Sequence, residues 1–220
     1  MWDSTTMMML IEGVGATLYM TITSTLMAYI FGLPLGIILV LTRKDGLRPH
    51  LVVNKILDII VNILRSVPFL ILLITVIPLT IAIVGRSYGS TATIVPLTIA
   101  ATPFIARMVE SSLLEVDPGV IEAAQSMGAS TWTIVWKVLI AEAKNSLIVG
   151  STIAIGTILG YSAMAGVVGG GGLGDIAIRY GYYRYQTDIM LVTVILLVVL
   201  VQILQMIGMR ISKKTDKRIV

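Results

Sequence analysis

Five runs of the chain carry no charge and are long enough to cross a bilayer: 13–42, 66–85, 87–106, 145–174 and 189–209. A helix needs about 20 mostly apolar residues to span the hydrocarbon layer. Inside that layer each backbone N–H and C=O must find its partner within the segment, so runs of this kind become helices. The expected fold is an all-α integral membrane protein of one domain, 1–220, with five transmembrane helices at about 15–42, 60–84, 88–107, 145–168 and 189–209. A more polar loop at about 108–144 separates the third span from the fourth. Composition agrees, since 13% of the residues are charged where a soluble domain has about 25%.

Basic residues set the orientation. Segments expected inside hold twelve of the sixteen: Arg43, Lys44, Arg48, Lys55, Arg107, Lys137, Lys144, Arg210, Lys213, Lys214, Lys217 and Arg218. Segments expected outside hold three, Arg86, Arg179 and Arg184. Cytoplasmic loops carry the excess of Lys and Arg, so the N-terminus is expected outside and the C-terminus inside. The start, "MWDSTTMMMLIEG", has Asp3 and Glu12 but no Lys or Arg, unlike the basic start of a cleavable signal peptide.

Several chemistries are excluded or weakened. The chain has no cysteine and one histidine, His50, in a short basic loop, so thiolate and paired-histidine metal sites are absent. A nucleophile–base set is not evident. No G-x-x-x-x-G-K-[ST] occurs, so the chain has no phosphate-binding loop of its own. "GGGGLG" (169–174) matches G-x-G-x-x-G in letters, but that motif binds dinucleotides only between a strand and a helix. Here it reads as an irregular, flexible end to the fourth span. No cofactor and no nucleic-acid partner are expected, and the net charge of +4 reports topology.

Within the spans, Gly32-x-x-x-Gly36, Gly156-x-x-x-Gly160 and Gly166-x-x-x-Gly170 let helix backbones approach closely. Pro68, Pro78, Pro96 and Pro103 interrupt spans two and three, each removing a helix hydrogen bond. Asn54, Asp58, Asn62 and Arg65 form a polar stripe on the helix entering span two. Asn54 and Asp58 fit a helix start still in water, and Arg65 an interior position.

The segment "IEAAQSMGASTWTIVWKVLIAEA" (121–143) is helical in pattern yet lies between apolar runs. Asp117-Pro118-Gly119 is a helix start, with Asp as cap and Pro in the first turn. Gly128 permits a turn that a β-carbon resists, and Ser130 is placed to cap a second helix. Trp132, Val135, Trp136 and Leu139 then fall on one apolar face. Ala123 and Ala124, flanked by Glu122, offer a small surface to a close neighbour. The pattern alone leaves two readings open, an interfacial helix anchored by tryptophan or a docking site.

Glu122, Ala123, Ala124 and Gly128 resemble the cytoplasmic loop, E-A-A, three residues, G, of permease subunits of ATP-binding-cassette importers, with Ala141 where that pattern has proline. "NILRSVPFLILL" (62–73), "IVPLTIAATPFIARMVE" (94–110) and "GYSAMAGVVGGGGLGDIAIRYGY" (160–182) are similar to the methionine-importer permease family. The resemblance implies a homodimer on two copies of a cytoplasmic ATPase in the bacterial inner membrane. It also implies an external binding lipoprotein that delivers L-methionine, D-methionine or derivatives. It makes Glu122, Ala123, Ala124, Gly128 and Ala129 the ATPase-coupling residues. At the end of span four, Tyr161 and Met164 lie three apart and hence on one helix face. With Ser162 they form a candidate gate at the dimer axis, plain interhelical packing being the alternative. A permease for another small solute, an autonomous channel or secondary transporter, and a membrane enzyme are the rival functions. The twelve methionines of the chain say nothing about substrate, since Met is a common apolar filler.

Overall fold

The computed structural model describes residues 3–215, and every regular element among them is helical. Helix α1 (Ser4–Thr42) is 39 residues long and begins well before the charge-free run. Next come α2 (Leu51–Ser66), α3 (Phe69–Thr75), α4 (Ile77–Val84) and α5 (Ser90–Leu114). The polar loop holds α6 (Pro118–Ser126) and α7 (Thr131–Ile134), which continues through a π-helical turn, Val135–Leu139, into α8 (Ile140–Glu142). Helix α9 (Lys144–Ala165) leads into the glycine run, then α10 (Gly172–Ile176), a π-helical turn Ala177–Tyr182, and α11 (Thr187–Thr215).

Four stretches have the length and apolar character of a membrane span: Ser4–Thr42, Ser90–Leu114, Lys144–Tyr182 and Thr187–Thr215. The fifth is broken. Helices α2 and α3 meet at a bend of 103°, so the run expected at 60–84 is not one straight helix. Val67 precedes Pro68 and is extended, φ −77° and ψ 123°, because the proline ring crowds the helical conformation of the residue before it. Val76 makes a second break, with Pro78 in the first turn of α4, where a missing N–H costs nothing.

Helices α1 and α5 run parallel and form the centre of the bundle. A Cβ on Gly32 would come within 2.9 Å of the Thr102 carbonyl oxygen, and one on Gly36 within 2.6 Å of that of Ala106. The two glycines thus let the backbones touch. Around this contact Met20, Leu97, Ile105, Val109, Leu113 and Ile158 form a fully enclosed apolar core. Helix α11 packs antiparallel on α9 along a polar seam. Gly208 abuts Thr152, Gly156 faces Gln205, and the Ser212 hydroxyl donates to Asn145 Oδ1.

The two ends of the bundle are chemically distinct. At one end the turn after α1 meets the polar loop, where Arg48 Nε donates to Thr131 Oγ1 at 3.3 Å. At the other, Leu10 of α1 joins Leu173, Ile176 and Ile189 in a second apolar cluster. Outward faces of α1 and α11 show Ile11, Ile22, Leu26, Ile30, Leu191 and Ile195, a surface suited to hydrocarbon. Of the basic residues expected inside, Lys217 and Arg218 lie outside the described residues.

Candidate coupling loop and pathway residues

The loop starts as its sequence dictates. The Asp117 carboxylate accepts from the Gly119 N–H at 2.7 Å and Pro118 opens α6. Gly128 closes the helix with φ +77°, its N–H reaching the Gln125 carbonyl at 2.9 Å. Ser130 Oγ then accepts from the Thr133 N–H at 3.2 Å and starts α7. Two short helices joined at a left-handed glycine are the result.

Ala123 and Ala124 do not share a surface. Successive helical residues point about 100° apart, and only Ala123 faces outward with Glu122, Gln125 and Met127. Ala124 is 5% exposed and packs with Val116, Ile134, Val135 and Leu139 in the main core. Ala129 is half-buried against the same cluster. The outward ridge is therefore Glu122, Ala123, Gln125, Met127 and Gly128, while Ala124 and Ala129 fasten the loop to its own bundle.

The expected apolar face of the following helix is also divided. Ile134, Val135 and Leu139 are buried, whereas Trp132 and Trp136 are exposed and meet edge to face, ring centroids 5.4 Å apart. The buried side lies towards Ile134 and Val138, so the tryptophans fall on its flank.

Near the end of α9, Tyr161 is half-buried and stacked on Phe69, the first residue of α3. Ser162 is buried, its hydroxyl donating to the Leu159 carbonyl at 2.7 Å. Met164 is half-exposed. The three residues expected together at a gate point three ways: Tyr161 into an aromatic stack, Ser162 into the bundle, Met164 out of the chain.

The glycine run after α9 is a tightly packed hairpin, not a flexible end. Gly169, Gly171 and Gly172 have φ between 74° and 82°, and a Cβ on Gly174 would overlap the Ala163 backbone. The Gly169 carbonyl accepts from Gly89 N–H at 2.9 Å, and the Leu173 N–H donates to Thr17 Oγ1 at 2.9 Å. The hairpin thereby ties α9 to α1 and α5.

The polar stripe of α2 is used differently from the expectation. Arg65 is exposed in the chain, because it follows the stripe to the rim where α2 leaves α5 at the bend. Asn54, Asp58 and Asn62 are the engaged members. Asn54 Nδ2 donates to the Leu39 carbonyl at 2.8 Å and to Thr42 Oγ1 at 3.0 Å. Asp58 pairs with Arg107 of α5. Arg107 also donates to Asn62 Oδ1 at 2.9 Å and to Glu110 Oε2 at 2.6 Å. Sequence reading passed over Arg107, Glu110 and Phe69. A signal existed for the first two, opposite charges at i and i+3 in a helix otherwise poor in charge. Among the described residues no cluster of His, Asp or Glu is arranged to hold a metal.

Comparison with known proteins bears on the fold and the family. Residues 32–219 match the family model described as binding-protein-dependent transport system inner membrane component. The chain is 51% identical over 217 residues to the Vibrio cholerae probable D-methionine transport system permease protein MetI, covering 99% of this chain and 96% of that one. It is 45% identical over 181 residues to the Bacillus subtilis methionine import system permease protein MetP, covering 82% of each. A chain of the inward-facing MetNI methionine ABC transporter superposes with TM-score 0.96 at 45% identity, covering 98% of this chain and 100% of that one. An amino acid ABC transporter chain at 20% identity has TM-score 0.67 over the whole length of both, which shows the shared fold. With the family model spanning most of the sequence and half the residues of a full-length relative identical, the chain belongs to the binding-protein-dependent transport system inner membrane components.

Proposed function

We propose that the chain is the permease subunit of an ATP-binding-cassette importer and forms the path for methionine, L- or D- or a derivative, across the bacterial cytoplasmic membrane. Two copies enclose the path, two copies of a separate ATPase drive it, and an external binding lipoprotein delivers substrate. The observation that carries the substrate class is the similarity, over 82% or more of the chain, to relatives named for methionine transport. The N-terminus is external and the C-terminus cytoplasmic, which the basic-residue asymmetry supports.

In this reading the ridge Glu122, Ala123, Gln125, Met127 and Gly128 enters a cleft on the ATPase. Ala123 and Gly128 leave room there for a partner backbone, and Ala124 and Ala129 hold the ridge to α7 and the π-helical turn that follows it. Closure of the ATPase pair then moves the bundle rather than bending the loop. Tyr161 and Met164 contribute to the pathway wall, with Ser162 supporting the turn of α9 beneath them. The test is uptake of labelled methionine by proteoliposomes that contain permease, ATPase and binding lipoprotein. ATP-dependent accumulation that unlabelled methionine suppresses is expected. Accumulation of a different amino acid with no competition by methionine would overturn the substrate assignment.

A further inference from the structure

Arg107 and its three partners lie between the coupling loop and the aromatic stack, and neither site uses them. Helix α2 has one fully enclosed side chain, Val61. Val53, Leu57 and Leu64 are half-buried, and its polar contacts to the body of the chain come from Asn54, Asp58 and Asn62, each one turn from the next. Asn54 is fixed to the end of α1, while Asp58 and Asn62 are fixed to Arg107. A helix with few buried apolar contacts is among the parts of a protein that move at low cost. Directional polar contacts then decide what it moves with.

Arg107 suits that task. Its planar guanidinium has five donors in a fixed fork and holds oxygens on two helices at once: Asp58 and Asn62 on α2, Glu110 on its own helix. Downstream, α5 ends at Leu114 and Asp117 caps the coupling helix α6. At the other end of α2, the bend at Pro68 leads directly to Phe69, whose ring lies on Tyr161. The Asp58 side chain is 40% exposed in the single chain and that of Arg107 21%, so the pair is not sealed in the core and is able to break and re-form.

We propose that Arg107 is a positioning residue for transport. It ties α2 to the inner half of α5 and conveys displacement of the coupling loop to the Phe69–Tyr161 stack. This rests on the reading of the loop as the ATPase contact. Asp58→Asn is the informative change. It keeps the shape and one acceptor oxygen and removes the charge, while Glu110 remains to pair Arg107, so no buried cation is orphaned.

The experiment uses the complete complex of permease, ATPase and binding lipoprotein in proteoliposomes, with labelled methionine uptake and ATP hydrolysis measured in the same sample. For Asp58→Asn, assembly and hydrolysis should stay near wild type while methionine moved per ATP falls up to about fivefold, the most a half-exposed ion pair supplies. Asp58→Glu should restore most of the ratio. An unchanged ratio in an assembled Asp58→Asn complex would overturn the proposal. So would failure of that variant to assemble, which would make the cluster an element of the fold alone. A wild-type complex without methionine uptake is a separate outcome, and would instead remove the functional reading on which the proposal rests.

Discussion

The ring of Tyr161 lies flat on that of Phe69, centroids 4.6 Å apart and planes within 3° of parallel. One residue belongs to the fourth span and the other opens the short helix after the bend, so the stack clamps the broken segment to the bundle. Aromatic pairs contribute about 0.5–1.5 kcal/mol beyond the area they bury. Phe69→Leu keeps an apolar side chain of similar reach and loses the stack. Thermal unfolding of the purified complex should show a loss of about that size, and more for Phe69→Ala, about 3–5 kcal/mol. A Phe69→Leu complex as stable as wild type would mean that the stack contributes no net stability.

Ala123 and Ala124 separate two roles that adjacent letters hide. Ala123→Arg places a long cation on the exposed ridge, so membrane levels should hold while co-purification of the ATPase falls. Ala124→Arg drives the same side chain into the core at 5% exposure, where an unpaired charge costs several kcal/mol. Protein level itself should fall. Equal ATPase binding by Ala123→Arg and wild type would remove this ridge as the contact.

Gly128→Val tests the turn independently of surface. A Cβ there meets nothing within 4 Å, yet φ is +77°. The strain comes from backbone conformation alone, about 1–3 kcal/mol. Gly128→Asn tolerates the left-handed region and should be milder. The measurement is ATPase co-purification for the pair, and the ranking Asn above Val is the expected outcome.

Gly36→Leu tests the α1–α5 contact. The added side chain has no space beside Ala106 and Val109, and overpacking typically costs about 1–3 kcal/mol. Membrane levels should drop, whereas Gly160→Leu, with no neighbour of the same chain within 4 Å, should leave the single chain stable. If Gly160→Leu disrupts dimer formation instead, that face meets the second copy.

Orientation has its own test. A reporter fused after Thr215 should read cytoplasmic and one before Ser4 external. Both on the same side would require an even number of crossings.

Much of this molecule was written plainly in the sequence, and the reasons are physical. Length and lack of charge marked the spans because a bilayer imposes both. Asp117, Pro118, Gly128 and Ser130 marked the two loop helices because caps and left-handed turns are local properties. What remained hidden depends on rotation about a helix axis and on partners distant in sequence. Ala124 faces inward and Trp132 outward by the roll of each helix on the bundle, which an apolar pattern in so short a helix leaves unspecified. The Pro68 bend was visible as a proline, but its angle, 103°, was not. Arg65 was expected inside, and the cation that sits between α2 and α5 is Arg107. From the stripe alone the choice turned on a bend that periodicity does not encode. The glycine run read as loose because glycine permits many conformations; contact with Ala163, Gly89 and Thr17 selects one.

The bond from Leu173 to Thr17 also fixes an order of events during biosynthesis. The two residues are 156 positions apart, and a chain grows at about 5–20 residues per second. For roughly 8–30 s after Thr17 emerges, the N-terminal half of the first helix has no hairpin to receive. Until then Gly13, Thr17 and Met20 present the notch that α10 later fills. The nascent permease is therefore structurally incomplete along its first helix until its fourth span has entered the membrane.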